Sequence, residues 1–187
     1  MTAAEALERE SRLESFPAGL PSTDGLWRLV YSSALSAGSG SGGGAGRDSP
    51  AVFQTPDTGS FNSFGPGSQV GQVYARISSR KRKLENIVEV FLRAPVPFLP
   101  FQLGKLVLNL EHRLEVIGDK QVKITLENIT AKNPGGPARQ LRLPPLKIPV
   151  LEALSSQGAG VFETTYCDGS IRITRGDRGE VRIFTKA

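Results

Sequence analysis

Cysteine and histidine are nearly missing from this chain: Cys167 and His112 are the sole examples of each in 187 residues. One cysteine forms no disulfide within the chain, so a disulfide-stapled scaffold is excluded. A zinc centre needs about four N, S or O ligands, and a Cys/His cluster cannot be assembled here. No apolar run of about 18 residues occurs, which excludes a membrane-spanning helix. Residues 2–14 are charged and lack an apolar stretch, so no secretory signal is visible. They are also too acidic for a transit peptide. Neither a Walker loop nor a dinucleotide fingerprint is present; the glycines of residues 40–46 belong to a low-complexity stretch. A nucleophilic pair would have to join Cys167 to His112, and nothing in the sequence orients that histidine. Enzymatic chemistry therefore has little support, and no metal or cofactor is expected.

What is abundant is glycine, with 21 residues, and proline, with 13. Helix-period stretches are few, which points to an all-β fold with many turns. The net charge of +5 favours anionic partners. Nucleic acid is not expected, because no aromatics interleave with the basic residues.

Thr2-Ala3-Ala4-Glu5 has the form of a capping box, and a short helix is expected to follow and to end before Pro17. Residues 1–20 read as helix and linker, and residues 21–187 as one β domain. Trp27, Leu29 and Tyr31 alternate with polar neighbours and form the first strand. Gly25-Leu26-Trp27 resembles the opening strand of lipocalin-type barrels, which implies a tryptophan closing one end under an arginine from a late strand. Residues 37–48 are nearly pure Gly, Ser and Ala and read as a flexible insertion. Arg80, Lys81, Arg82 and Lys83 form a basic hairpin tip, a candidate contact for anionic head groups.

Residues 94–104 and 141–154 are apolar but rich in proline, so they read as loops. Phe98, Leu99 and Phe101 are candidate membrane contacts there. Residues 105–117 show the cleanest alternation, with Leu106, Leu108, Leu110, His112 and Leu114 on one face. After a Gly-Asp turn, Val122, Ile124 and Leu126 continue that face. Residues 161–184 read as three strands joined by turns at residues 167–170 and 176–179. Cys167 is placed in the first of these turns.

Five blocks occur in order: DGLWRLVYSS, QVGQVY, NIVEV, LRLP and ETTYCDGSIRITRGDRGEVRIF. Together they resemble the plastid lipid-associated protein family, also called fibrillins, over most of the chain from Asp24 onward. The resemblance implies a chloroplast protein lying peripherally on thylakoids or on plastoglobules, the thylakoid's lipid droplets. It also implies a small hydrophobic lipid of prenylquinone or carotenoid type as ligand. The alternative it offers is a protein-interaction scaffold for a prenyl-lipid biosynthetic enzyme.

About eight strands with short turns suit a lipocalin-like antiparallel up-and-down β-barrel with a short N-terminal helix. Trp27, Leu29, Tyr31, Leu108, Leu110 and His112 are expected to line its cavity. Leu114, Ile124, Leu126, Ile171 and Ile173 complete that lining. If Ile171, Ile173, Val181 and Ile183 face inward, Arg172 and Arg182 face outward. Arg175, at a strand end, is then the arginine expected to pack on Trp27.

Overall fold

We describe the chain from a computed structural model, which describes residues 2–33, 68–92, 104–134, 140–143, 159–177 and 179–187. Helix α1, Ala3–Arg9, begins at the expected capping box, with the Thr2 and Glu5 side chains each bonded to the other's backbone N–H. Among the described residues nine strands follow: β1 Gly25–Ser32, β2 Ser68–Ser78, β3 Lys83–Leu92, β4 Gly104–Val116, β5 Gln121–Lys132, β6 Gln140–Leu143, β7 Ala159–Cys167, β8 Ile171–Gly176 and β9 Val181–Lys186. All pairings are antiparallel. β1 to β5 pair in succession, β5 pairs with β7, β7 to β9 pair in succession, and β9 returns to β1. Eight strands thus close a ring, and no member of it leaves an edge unpaired at both sides. β6 adds to the second half of β5, so the segment expected to be a loop from residue 141 begins as a strand.

Alternation sends one side chain of each pair inward. On β4 these are Leu106, Leu108, Leu110, His112 and Leu114, all at most 2% exposed. Val73, Ala75, Leu84, Val88 and Val90 of the adjoining β2 and β3 continue this inner face. The ring end that carries Gly25 and Lys83 is closed by the N-terminal segment. Leu13, Phe16 and Leu20 join the ring's core there, and a 3-10 turn, Leu20–Thr23, leads into β1. Phe16 N–H donates to the Asp119 carbonyl and so ties this plug to the β4–β5 turn.

Four bulges break the alternation among the described residues, one of them on β2 between Val70 and Val73. One extra residue on a strand reverses the facing of everything beyond it. On β1 the register slips between Leu29 and Tyr31; on β5 it slips opposite Glu111 and His112; on β7 it slips between Thr164 and Tyr166. The first slip decides which β1 side chains reach the interior: Ser32 is buried and pairs with Arg182, while Tyr31 pairs with Ile183 on the outer face.

The expected insertion at residues 37–48, and the candidates Phe98, Leu99 and Phe101, lie outside the described residues.

Candidate functional site

The interior holds a small cavity of about 30 Å3. That is room for two or three waters on a measure where one needs roughly 10–15 Å3. Leu29, Val73, Ala75, Leu84 and Ile124 make its apolar wall, with Phe162 and Phe184 beside them. Asn86, Thr174, Arg172 and Arg182 are its polar members. Few polar groups in an apolar pocket is the usual composition of a ligand site.

The two arginines reach the interior because β8 and β9 face opposite to expectation. Arg172, Thr174, Arg182 and Phe184 are buried on the inner side, paired Arg172 with Phe184 and Thr174 with Arg182. Ile171 is half-exposed. Ile173 is fully buried but stands outside the core cluster, on the outer face. Glu8 of α1 reaches that face, where its carboxylate accepts from Thr165 and Arg175. The expected inward Ile171 and Ile173, and outward Arg172 and Arg182, are therefore corrected.

Arg182 Nη2 pairs with Glu180 Oε1 at 3.0 Å, with both side chains about nine-tenths buried. Arg172 is 1% exposed, and its Nε and Nη1 have no hydrogen-bond partner. Its guanidinium carbon lies 4.3 Å from the Phe184 ring centroid and 5.5 Å from that of Trp27. Aromatic faces attract a cation but accept none of its N–H bonds in the plane. Burial pushes Arg172 down to about 9, with Arg182 adding to the effect, and the group stays charged at pH 7.

The seam between β1 and β9 centres on Trp27, which is wholly buried. Its Nε1–H donates to the Thr23 carbonyl at 2.8 Å. Lys186 Nζ sits 4.2 Å from the ring centroid and donates to the Asp24 carbonyl at 2.5 Å. Gly25 is required here by its backbone: a φ of +123° is costly for any other residue. An arginine does pack on Trp27, but it is Arg172. Arg175, the expected one, is held elsewhere by Glu8, with Nη2–Oε2 at 2.7 Å. A partner 167 positions away in the chain leaves no local trace in the sequence.

Of the other expected lining residues, Leu29 and Ile124 border the cavity. Leu108, Leu110, His112 and Leu114 are buried in the core around it, and Leu126 packs on that core half-buried. Tyr31 faces out, as the bulge dictates. Cys167 ends β7 half-buried against the core and is not in the exposed turn expected of it.

His112 donates from Nδ1 to the Leu110 carbonyl at 3.0 Å, since a carbonyl can only accept. Burial pushes its pKa below the usual value, against the smaller upward pull of the backbone at Leu84 and Leu110. The unfolded chain then holds this proton more tightly than the folded one. Stability is complete above about pH 6.5 and falls as pH drops from there towards the folded value. The slope is at most about 1.4 kcal/mol per pH unit for one proton. Urea unfolding at pH 7.5 and 5.5 measures it. His112→Gln should flatten the curve in this window, because the lowered carboxylates Glu5, Glu8 and Asp168 act below about pH 4.5. An unchanged slope in that variant would remove His112 as the cause.

Arg80, Lys81 and Arg82 are exposed at the β2–β3 turn, and Lys83 is half-buried. Lys81, Arg82 and Lys83 border, with Arg113, a surface groove that also carries Glu115 and Glu127. This turn lies at the Gly25 end of the ring. Leu92 and Gly104, which flank the phenylalanine-bearing segment, pair with each other at the opposite end of β3. Ten strand residues, about 33 Å, separate the two ends. The basic turn and the anchors of the Pro-rich segment thus lie at opposite ends of the ring.

The PAP_fibrillin family model matches residues 2–185. The plastid-lipid-associated protein 6, chloroplastic, of Arabidopsis thaliana is 38% identical over 189 residues, covering 99% of this chain and 60% of that protein. The chain therefore spans about 60% of the length of the curated relative it matches. No solved structure matches it.

Proposed function

The chain belongs to the PAP_fibrillin family, and from that premise we propose that it is a non-enzymatic plastid protein that holds a small hydrophobic lipid by one end. The closed ring is read here as a lipocalin-like barrel, with the lipid's end in the interior cavity. The observation that carries this is the cavity itself: an apolar enclosure against two buried arginines. Its size sets the form of the proposal. About 30 Å3 accepts a few heavy atoms, so a prenylquinone or carotenoid enters by an end group while the rest stays outside. Burial of each methylene contributes about 0.8 kcal/mol.

The protein lies peripherally on a thylakoid or plastoglobule surface. Arg80, Lys81 and Arg82 are the contact with anionic head groups. Replacing each by glutamine lowers partition onto phosphatidylglycerol vesicles by about 1 kcal/mol per charge. Sedimentation with vesicles measures this, and partition unaffected by the triple variant would remove the turn from the account.

The small cavity lends some weight to a second reading, a scaffold for a prenyl-lipid biosynthetic enzyme. Such a scaffold needs an apolar docking patch. Among the described residues, Ile117 is the large apolar side chain that stands exposed, at 48%. One isolated side chain is no patch. The two readings separate when the protein is purified from plastid membranes. Mass spectrometry of the preparation should find about one lipid per chain; a stoichiometric protein partner without lipid would favour the scaffold.

A further inference from the structure

The interior carries an uncompensated charge. Glu180 answers Arg182 at 3.0 Å, but no carboxylate bonds to Arg172, whose Nε and Nη1 are unpartnered. Cys167, opposite Arg172 in the β7–β8 register, does not fill that role: burial pushes its thiol up, so it is neutral at pH 7. The guanidinium lies against the Phe184 and Trp27 rings, and Arg172 is among the residues that line the cavity. A buried charge with neither counterion nor hydrogen bonds is costly. A planar guanidinium edge is also the shape that a carboxylate matches with two parallel bonds.

We propose that the cavity takes the carboxylate end of an acyl lipid, with Arg172 as its counterion. The cavity's volume, two or three waters, suits the three heavy atoms of a carboxylate. A phosphate monoester has five or more heavy atoms and needs more room. Thr174 and Asn86 stand beside the arginine as further polar neighbours, and Leu29, Val73 and Phe184 receive the first methylenes. The inference rests on the reading that a lipid enters the ring, and it replaces the uncharged end group of that reading with an acidic one.

Titration calorimetry of the full chain at pH 8 tests it, with dodecanoate, dodecanol and a short-chain prenylquinone as probes. Dodecanoate should bind one per chain and at least tenfold tighter than dodecanol. Arg172→Gln should erase the difference between the two, while Arg172→Lys, which keeps the charge, should retain part of it. The exposed basic turn is intact in both variants, so surface attraction for the acid cannot mimic the result. Equal affinities for acid and alcohol in the unaltered protein would overturn the carboxylate assignment and leave the lipid reading standing. A preference that survives Arg172→Gln would overturn it as well. Failure of all three probes to bind would sink both. The comparison of acid with alcohol needs no variant, so it stands even if Arg172→Gln does not fold.

Discussion

Replacing Trp27 by alanine lowers the unfolding free energy by about 3–5 kcal/mol, the range for emptying a buried aromatic site. Total stabilities of single domains are about 5–15 kcal/mol, so the variant retains little margin. The loss has several parts. Trp27 is wholly buried, joins the N-terminal plug to the ring core, and lies under Arg172 and Lys186. Removing the indole takes the aromatic partner from Lys186 and one of two from Arg172, and orphans the Thr23 carbonyl that Nε1 bonds. Trp27→Phe should recover most of the apolar contact while still losing the hydrogen bond, at a cost of about 1–3 kcal/mol. Urea midpoints of the three proteins measure the series. A Trp27→Ala loss below about 1 kcal/mol would show that the plug and seam do not depend on this residue.

The second large effect is at Glu180. Glu180→Gln should cost about 3–5 kcal/mol, because it removes the carboxylate that the buried Arg182 pairs with at 3.0 Å, next to the interior cation Arg172. The double variant Glu180→Gln, Arg182→Met removes both charges and should be less destabilised than Glu180→Gln alone. Such a cycle isolates the pair from general damage at the site. Equal losses in the single and double variants would mean that charge is not what Glu180 contributes.

Strand placement was legible because period-2 alternation needs only local pattern. The run from Leu106 to Leu114 and the capping box at Thr2 and Glu5 read directly. So did the turn at Asp168, whose Oδ1 accepts from the backbone of Ser170 and Ile171. Which face of a strand lies inward was harder. Alternation is unchanged by a one-residue shift, so the inward set must be chosen by polarity. On β8 and β9 that choice misled: the outer residues Ile171, Ile173, Val181 and Ile183 are aliphatic, and the inner ones include two arginines. Phe184, in phase with Arg182 and paired with Arg172, was the available signal. An aromatic sharing a face with arginines is compatible with a buried cation–π stack. Tyr31 failed for a different reason. A bulge is a property of two strands' relative register, and β1 alone does not encode it.

The candidate site was half visible. Glycine-x-tryptophan marked the seam, and an arginine on Trp27 was foreseen, with the wrong arginine chosen. Lys186 was missed, since its contact with Trp27 leaves no local pattern in the sequence. The cavity itself depends on side chains from seven strands and has no linear signature.

The central claim is that a lipid's end occupies the ring interior beside Arg172. Intermolecular nuclear Overhauser effects locate it most directly, with 13C-labelled dodecanoate bound to the full chain. The account predicts contacts from the methylene next to the carboxylate to the side chains of Phe184 and Leu29, which border the cavity. Contacts confined to exposed residues such as Lys81 and Arg82, with the acid bound, would contradict it.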